Sequence, residues 1–267
     1  MKTAEQKPVQ KEYHDIYSET YDSVELWEID GKPNRFRLGF ISRRAALMAK
    51  LAKSDANSVA AEIGCGTGIY TSHWSKTSKA IYGIDISSAM LQKALAKSNS
   101  GRATFVQADA ECLPLQSSCC DVVYSVNLIE HLDDIPGALK EMVRVSKNGA
   151  RIVISLPNDN PVTGKLINAY YRILRFIPGR NAFQLEPPGI HGISHDVPSS
   201  AKLVRLLNET GIEVEGKYFM GFIERRFTQT IWTHGLMELL EKLLEKIPIV
   251  KSWAGVIIIS GIVSKKE

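Results

Sequence analysis

Between residues 58 and 155 the chain alternates short apolar runs with longer stretches of helical period. The runs cover residues 58–63, 80–84, 103–107, 121–127 and 150–155. Each is too short for a helix, and four of the five are closed by glycine, asparagine, aspartate or serine, which marks a buried strand. The stretches between them place apolar residues three and four apart, as an amphipathic helix requires. Helices are expected over 69–76 and 89–97, the second capped by Ser87 or Ser88. A further one, capped by Asp133 or Asp134 with Pro136 in its first turn, runs to Val145. Asn148-Gly149 then turns the chain into the fifth strand. Regular alternation of this kind predicts an α/β fold, a parallel sheet wound on both faces with ligands beyond the carboxyl ends of its strands.

The flanks differ in pattern. Tyr13, Tyr17 and Tyr21 recur every four residues, one face of an N-terminal helix. Residues 35–53 form a second helix whose Leu38, Ile41, Ala45, Leu47, Met48 and Leu51 pack on the sheet, leaving Arg43 and Arg44 in solvent. Beyond residue 157, residues 163–177 read as an amphipathic helix, either packed on the domain or resting on lipid. An irregular stretch rich in proline and glycine follows, carrying His191 and His195, in the sort of long loop that often touches substrate. A helix starts at Pro198-Ser199-Ser200 and stops at Thr210-Gly211. Residues 212–219 and 255–263 are the last strands. Between them Leu236, Leu239, Leu240, Leu243, Leu244 and Ile247 form one apolar helix face, with glutamates and lysines expected in water. The layout is one domain over 1–267: cap helices to 55, a core at 56–158, a substrate cap and sixth strand at 159–250, and a final strand at 251–267.

Chemistry concentrates where the first strand ends. Glu62-Ile63-Gly64-Cys65-Gly66-Thr67-Gly68 puts glycine at alternate positions between a strand and a helix. Glycine admits positive φ and lets a ligand approach the main chain, while the following helix offers unpaired N–H groups and a positive dipole end. The spacing is G-x-G-x-G, unlike the G-x-G-x-x-G of nicotinamide enzymes. Asp85 ends the second run, where a carboxylate can accept from two ribose hydroxyls. Ala108-Asp109-Ala110 follows the third, and Leu128-Ile129-Glu130-His131-Leu132 follows the fourth.

In this order the elements resemble the class I S-adenosylmethionine-dependent methyltransferases, in particular their small-molecule and quinone-pathway subgroup. The resemblance is close over residues 58–158 and loose at the ends. It implies a Rossmann-like sheet of seven strands, mostly parallel, with an antiparallel last strand inserted beside the fifth, and helical caps at the N-terminus and after the fifth strand. It implies S-adenosylmethionine as cofactor and S-adenosylhomocysteine as product. Cofactor contacts then fall to Tyr21, Glu62, Gly64, Cys65, Gly66, Gly68, Asp85, Ile86, Met90, Asp109, Ala110, Asn127 and Leu128. His131 is the candidate catalytic group, and Tyr13, Tyr17, His191 and His195 are candidate substrate contacts. In related quinone-pathway enzymes an E-x-x-E-H segment binds a divalent metal. Here Asn127 stands at its first position, removing an anionic ligand from a hard-cation site, so no metal is expected.

Composition narrows the partners. A net charge of +4 and pI near 8.8, with no dense basic run, argue against nucleic acid as substrate. The expected acceptor is a small lipophilic or aromatic molecule, with membrane contact through residues 163–177 as the one peripheral option. Cys65, Cys112, Cys119 and Cys120 form no C-x-x-C pair, as suits reduced thiols, and residues 1–11 hold no apolar signal core, so a cytoplasmic protein is expected. The alternatives are a non-catalytic S-adenosylmethionine-binding protein and, more remotely, a nicotinamide-dependent oxidoreductase. Oligomeric state is not written in the sequence.

Overall fold

Strands β1 (Val59–Ile63), β2 (Ala80–Asp85), β3 (Ala103–Gln107), β4 (Cys120–Val126), β5 (Ser146–Pro157), β6 (Ile212–Met220) and β7 (Val256–Val263) form one sheet in the computed structural model. The structure describes residues 6–26, 28, 31–158, 197–222, 234–247, 250 and 253–265. Strand order is β3-β2-β1-β4-β5-β7-β6. All pairs from β3 to β5 are parallel, while β7 runs antiparallel to both β5 and β6. The order reverses between β1 and β4, so the crevice beyond their carboxyl ends is where ligands bind in such sheets.

Helices α1 (Gln6–Glu25), α2 (Arg35–Leu51), α3 (Thr71–Trp74), α4 (Ser88–Lys97), α5 (Ile135–Val145), α6 (Ser200–Glu209) and α7 (His234–Leu244) accompany the sheet. Ala138, Leu139, Met142 and Val145 on α5 join Leu203 and Leu207 on α6 against one face. On the other face Trp74 stacks on Tyr124 of β4 with ring centroids 3.8 Å apart, and its indole N–H donates to Ala45 O of α2 at 3.0 Å. Fully burying each large apolar side chain contributes about 1.5–3 kcal/mol relative to exposure. Ser87 caps α4 and Asp134 caps α5, in each case by accepting a backbone N–H in the first turn. Among the described residues no helix is long and apolar enough to cross a membrane.

Several expectations are corrected. The helix after the glycine turn spans four residues only, Thr71–Trp74. Strand β5 begins at Ser146, so Asn148-Gly149 lies inside it, at a register shift where the pairing jumps from Cys120–Ser146 to Val122–Arg151. Arg44 is buried, and Arg43 is half-buried in an ion pair with Glu245 at 3.4 Å. On α7 the expected polarity is inverted at its centre. Leu236, Leu239, Leu240 and Leu243 are exposed, whereas Glu241 is buried and accepts the N–H groups of Gly221 and Phe222 at 2.7 and 2.9 Å. The loop after β6 needs acceptors there, and satisfying buried N–H groups outweighs burial of a leucine. The helix expected over 163–177 lies outside the described residues.

Gly83 of β2 allows β2, β3 and the turn after β1 to lie close together. A Cβ there would sit 2.7 Å from the Phe105 ring and 3.2 Å from Cys65 Sγ. Gly83→Ala is expected to destabilise the fold by about 1–3 kcal/mol through overpacking, read as a lower urea midpoint at unchanged m-value.

Candidate cofactor and acceptor site

The turn after β1 is set by main-chain bonds to β2. Gly64 and Cys65 both donate to Ile84 O, at 2.8 and 3.0 Å. Gly66 N–H donates to Asp85 Oδ2 at 2.8 Å, and Ser87 N–H donates to Oδ1 at 3.0 Å. Gly64 and Gly66 have φ of +75° and +52°, in the left-handed region that glycine tolerates. A Cβ on Gly64 would lie 2.9 Å from Leu128 Cδ1, so this turn and the one after β4 approach more closely than a side chain permits. Burial raises the Asp85 pKa, and the Ser87 and Gly66 N–H groups and His14 oppose that rise. A carboxylate accepts about four hydrogen bonds, so Asp85 keeps capacity for hydroxyls in the cavity it borders.

That cavity, about 400 Å³, lies under α1 at the carboxyl ends of the parallel strands. Asp109 and Ala110 border it after β3, with Asp109 Oδ1 accepting Glu111 N–H at 2.9 Å. Ile86 and Met90 border it at the start of α4. After β4 the wall is formed by Asn127, in left-handed backbone at φ +51°, Leu128 and a single 3-10 turn, Ile129–His131. The turn presents Glu130 and His131. Glu130 is 6% exposed, and its Oε2 has no hydrogen-bond partner among the described residues. Burial pushes its carboxyl up to about 7, with Glu25 adding to the rise and Arg44 opposing it.

Helix α1 supplies the remaining wall. Asp15 Oδ1 accepts from Ser87 Oγ at 2.5 Å and from Ala89 N–H at 3.3 Å. Asp22 Oδ1 accepts from Thr67 Oγ1 at 2.6 Å, and Lys97 pairs with the same carboxylate. These bonds fasten the polar edge of α1 to α4 and to the glycine turn. Its tyrosine face is thereby turned inward. Tyr13 stacks on Tyr17 at 5.6 Å, Tyr17 meets Tyr21 edge-on at 5.5 Å, and His14 meets His131 edge-on at 5.5 Å. Burial raises all three tyrosine pKa values, that of Tyr17 to about 12, so they stay neutral phenols.

One cavity thus gathers Tyr13, Tyr17, Tyr21, Gly64, Gly66, Asp85, Ile86, Met90, Asp109, Ala110, Asn127, Leu128 and His131. Glu62, Cys65 and Gly68 are not on its wall. Glu62 is buried behind the turn and accepts the Thr71 hydroxyl, and burial pushes its carboxyl up to about 8 against that bond. The Cys65 thiol is buried within 3.2 Å of where a Gly83 Cβ would stand. Gly68, at φ +74°, is required by close packing on Ala94 and Phe105. His191 and His195 lie outside the described residues. Sequence reasoning missed His14, Glu25 and Glu130 on the wall and Arg44 behind it. Only the Glu130-His131 pair carried a local signal.

Residues 61–154 match a family described as "Methyltransferase domain". Malonyl-[acyl-carrier protein] O-methyltransferase of Pectobacterium atrosepticum is 30% identical over 112 residues, 42% of this chain and 43% of that protein. The chain therefore spans less than half of that relative. Ubiquinone biosynthesis O-methyltransferase of Hahella chejuensis is 28% identical over 176 residues, 63% of this chain and 69% of that protein. Among solved structures, magnesium protoporphyrin IX methyltransferase from Synechocystis superposes with TM-score 0.62 at 14% identity, covering 97% of this chain and 100% of that one. The [4+2]-cyclase SpnF superposes at 0.64 and 17% identity over 96% of both chains. Residues 61–154 thus match a methyltransferase domain, and the fold is shared with solved S-adenosylmethionine-dependent methyltransferases, enzymes whose cofactor is S-adenosylmethionine. The cavity suits such a ligand: its volume lies in the range of roughly 300–1,000 Å³ typical of ligand sites, it has a side-chain-free approach at Gly64 and Gly66, and it is lined by tyrosine rings, a type of surface that attracts cations.

Glu62 and Glu130 both titrate higher in the folded chain than a carboxyl's usual 4.5. Their protonated forms favour folding, a contribution complete below pH 4.5 and lost as pH rises to about 8. The melting temperature is expected to fall across that window, and Glu62→Gln should flatten the slope, measured by thermal scans in buffers of equal ionic strength.

Proposed function

We propose that this protein transfers a methyl group from S-adenosylmethionine to a small, lipophilic or aromatic acceptor that carries a proton on its nucleophilic atom. The observation that carries the reading is the single cavity where the glycine turn, Asp85, Asp109 and the Glu130-His131 pair converge. When bound, S-adenosylmethionine supplies an electrophilic methyl carbon on a sulfonium. The chain's task is to hold nucleophile and methyl carbon in line, which can account for several orders of magnitude in rate.

In this reading Asp85 accepts the ribose hydroxyls, Asp109 and Ala110 meet the adenine edge, and the main chain of Gly64, Gly66, Asn127 and Leu128 borders the methionine end. Tyr17 and Tyr21 offer aromatic faces to the positive charge. Glu62 acts from behind the turn, by fixing Thr71 and the start of α3. Leu128, Leu132, Pro157 and Val197 give the acceptor an apolar surround, and Tyr13 adds an aromatic one. Glu130 and His131 are the groups placed to take the acceptor's proton, Glu130 because its carboxyl titrates near neutrality and keeps a bare oxygen among the described residues. The similarity to a ubiquinone-pathway O-methyltransferase supports a hydroxylated aromatic acceptor.

Calorimetric titration with S-adenosylmethionine tests the cofactor. Binding is expected for the wild type, weakened about tenfold or more in Asp85→Ala, since a hydrogen bond to a charged group is worth about 1.5–3 kcal/mol. No binding to folded wild-type protein overturns the reading. Methyl transfer to hydroxylated aromatic acceptors tests the chemistry. Glu130→Gln or His131→Gln should lower kcat by about a hundredfold, as loss of a general base does, with cofactor affinity little changed. Unchanged kcat in both variants removes general-base catalysis from the mechanism.

A further inference from the structure

Among the described residues Arg44 is the largest charged side chain in the interior, 1% exposed and enclosed between α2 and the sheet. A guanidinium stays charged, and burying it is costly unless its donors are met. They are met at the ends of two central strands. Nη2 donates to Asn127 Oδ1 at 2.8 Å and to Ser155 Oγ at 2.5 Å, and Nε donates to Ser155 Oγ at 2.8 Å. The guanidinium carbon lies 5.4 Å from the Tyr70 ring centre, and Nη1 donates to the Tyr70 hydroxyl at 3.4 Å. The positive charge also favours the ionised forms of the buried carboxyls Glu62 and Glu130.

Asn127 is a residue with a use for such support. It is the last residue before the Leu128–His131 segment of the cavity wall, and it is held at φ +51°, uncommon for a residue other than glycine. Strained backbone persists when its surroundings over-determine it. Here its N–H donates to Ser155 O at 2.8 Å and its side chain is gripped by Arg44, which grips the Ser155 hydroxyl as well. A planar fork can hold both partners in one geometry, and a lysine ammonium cannot reproduce that arrangement.

We infer that Arg44 is a positioning residue of the cofactor site: through Asn127 and Ser155 it fixes the turn after β4, and with it the main chain that faces the methionine end of the ligand. The inference rests on the methyltransferase reading. It assigns a binding role to a residue that touches no part of the cavity. Its consequence is that ligand affinity depends on an α2 arginine through two side chains, those of Asn127 and Ser155.

The test is a double-mutant cycle read by calorimetric titration with S-adenosylhomocysteine, with melting temperatures taken in parallel. The variants are Arg44→Met, Asn127→Gly and their combination; glycine tolerates the left-handed backbone and removes the side chain that Arg44 holds. Arg44→Met should weaken binding by about tenfold or more, Asn127→Gly should weaken it comparably, and the combination should be no weaker than the worse single variant. A role confined to stability would lower the melting temperatures without that non-additivity. Additive losses, or wild-type affinity in folded Arg44→Met, overturn the inference. Should Arg44→Met fail to fold, Arg44→Lys and Ser155→Ala carry the same cycle, with loss of affinity expected in both and wild-type affinity in both decisive against it. Failure of the wild type itself to bind would instead sink the methyltransferase reading, and this inference with it.

Discussion

The site depends on a short ladder of main-chain hydrogen bonds between two adjacent strand ends. Gly64 and Cys65 donate to Ile84 O, and Asp85 returns the contact by accepting Gly66 N–H. Each bond is worth only about 1 kcal/mol net, but together they set the path of the turn and the direction of the Asp85 carboxylate at once. The turn can come this near β2 and the β4 end because Gly64 and Gly83 have no Cβ. Fold and site are therefore one construction: the parallel pairing of β1 with β2 places donors and acceptor in register, and the ligand cavity is what remains beyond them.

Around that frame the protein accepts several ionisable groups away from bulk water. Glu62, Glu130 and Arg44 are buried and Asp85 half-buried, all near the carboxyl ends of central strands. A core built for stability alone would exclude them, since desolvating an ion costs several kcal/mol. Their hydrogen bonds explain how they persist: Thr71 for Glu62, backbone N–H groups for Asp85, Asn127 and Ser155 for Arg44. Glu130 is the exception, with one oxygen unmatched among the described residues, and it borders the cavity. Perturbed groups concentrated at one crevice fit a functional centre better than a structural one.

The N-terminal helix gives the cavity its aromatic side. Its two edges are chemically distinct: Asp15 and Asp22 bond to α4 and the glycine turn, while the tyrosines face inward. A helix fastened by a few side-chain bonds over a mostly pre-formed pocket is easier to displace than the sheet beneath it.

The sequence by itself determined the doubly wound core, because apolar runs of strand length alternating with amphipathic segments leave few other solutions. It also determined the glycine turn, Asp85 and the Ala108–Ala110 segment, whose meaning is local: backbone freedom and an acid at a strand end. Tertiary structure alone decided what depended on partners distant in the chain. Arg44 reads as a solvent-facing helix residue until β4 and β5 bring Asn127 and Ser155 beneath it, 83 and 111 residues later. Glu241 reads as surface until the loop after β6 presents two N–H groups to it. Glu62, Cys65 and Gly68 read as ligand contacts by position in a motif, and the structure gives them packing partners instead of a place on the cavity wall: Thr71 for Glu62, Gly83 for Cys65, Ala94 and Phe105 for Gly68. Periodicity records which face of an element is apolar; only the packed molecule decides which polar groups must be buried to satisfy one another.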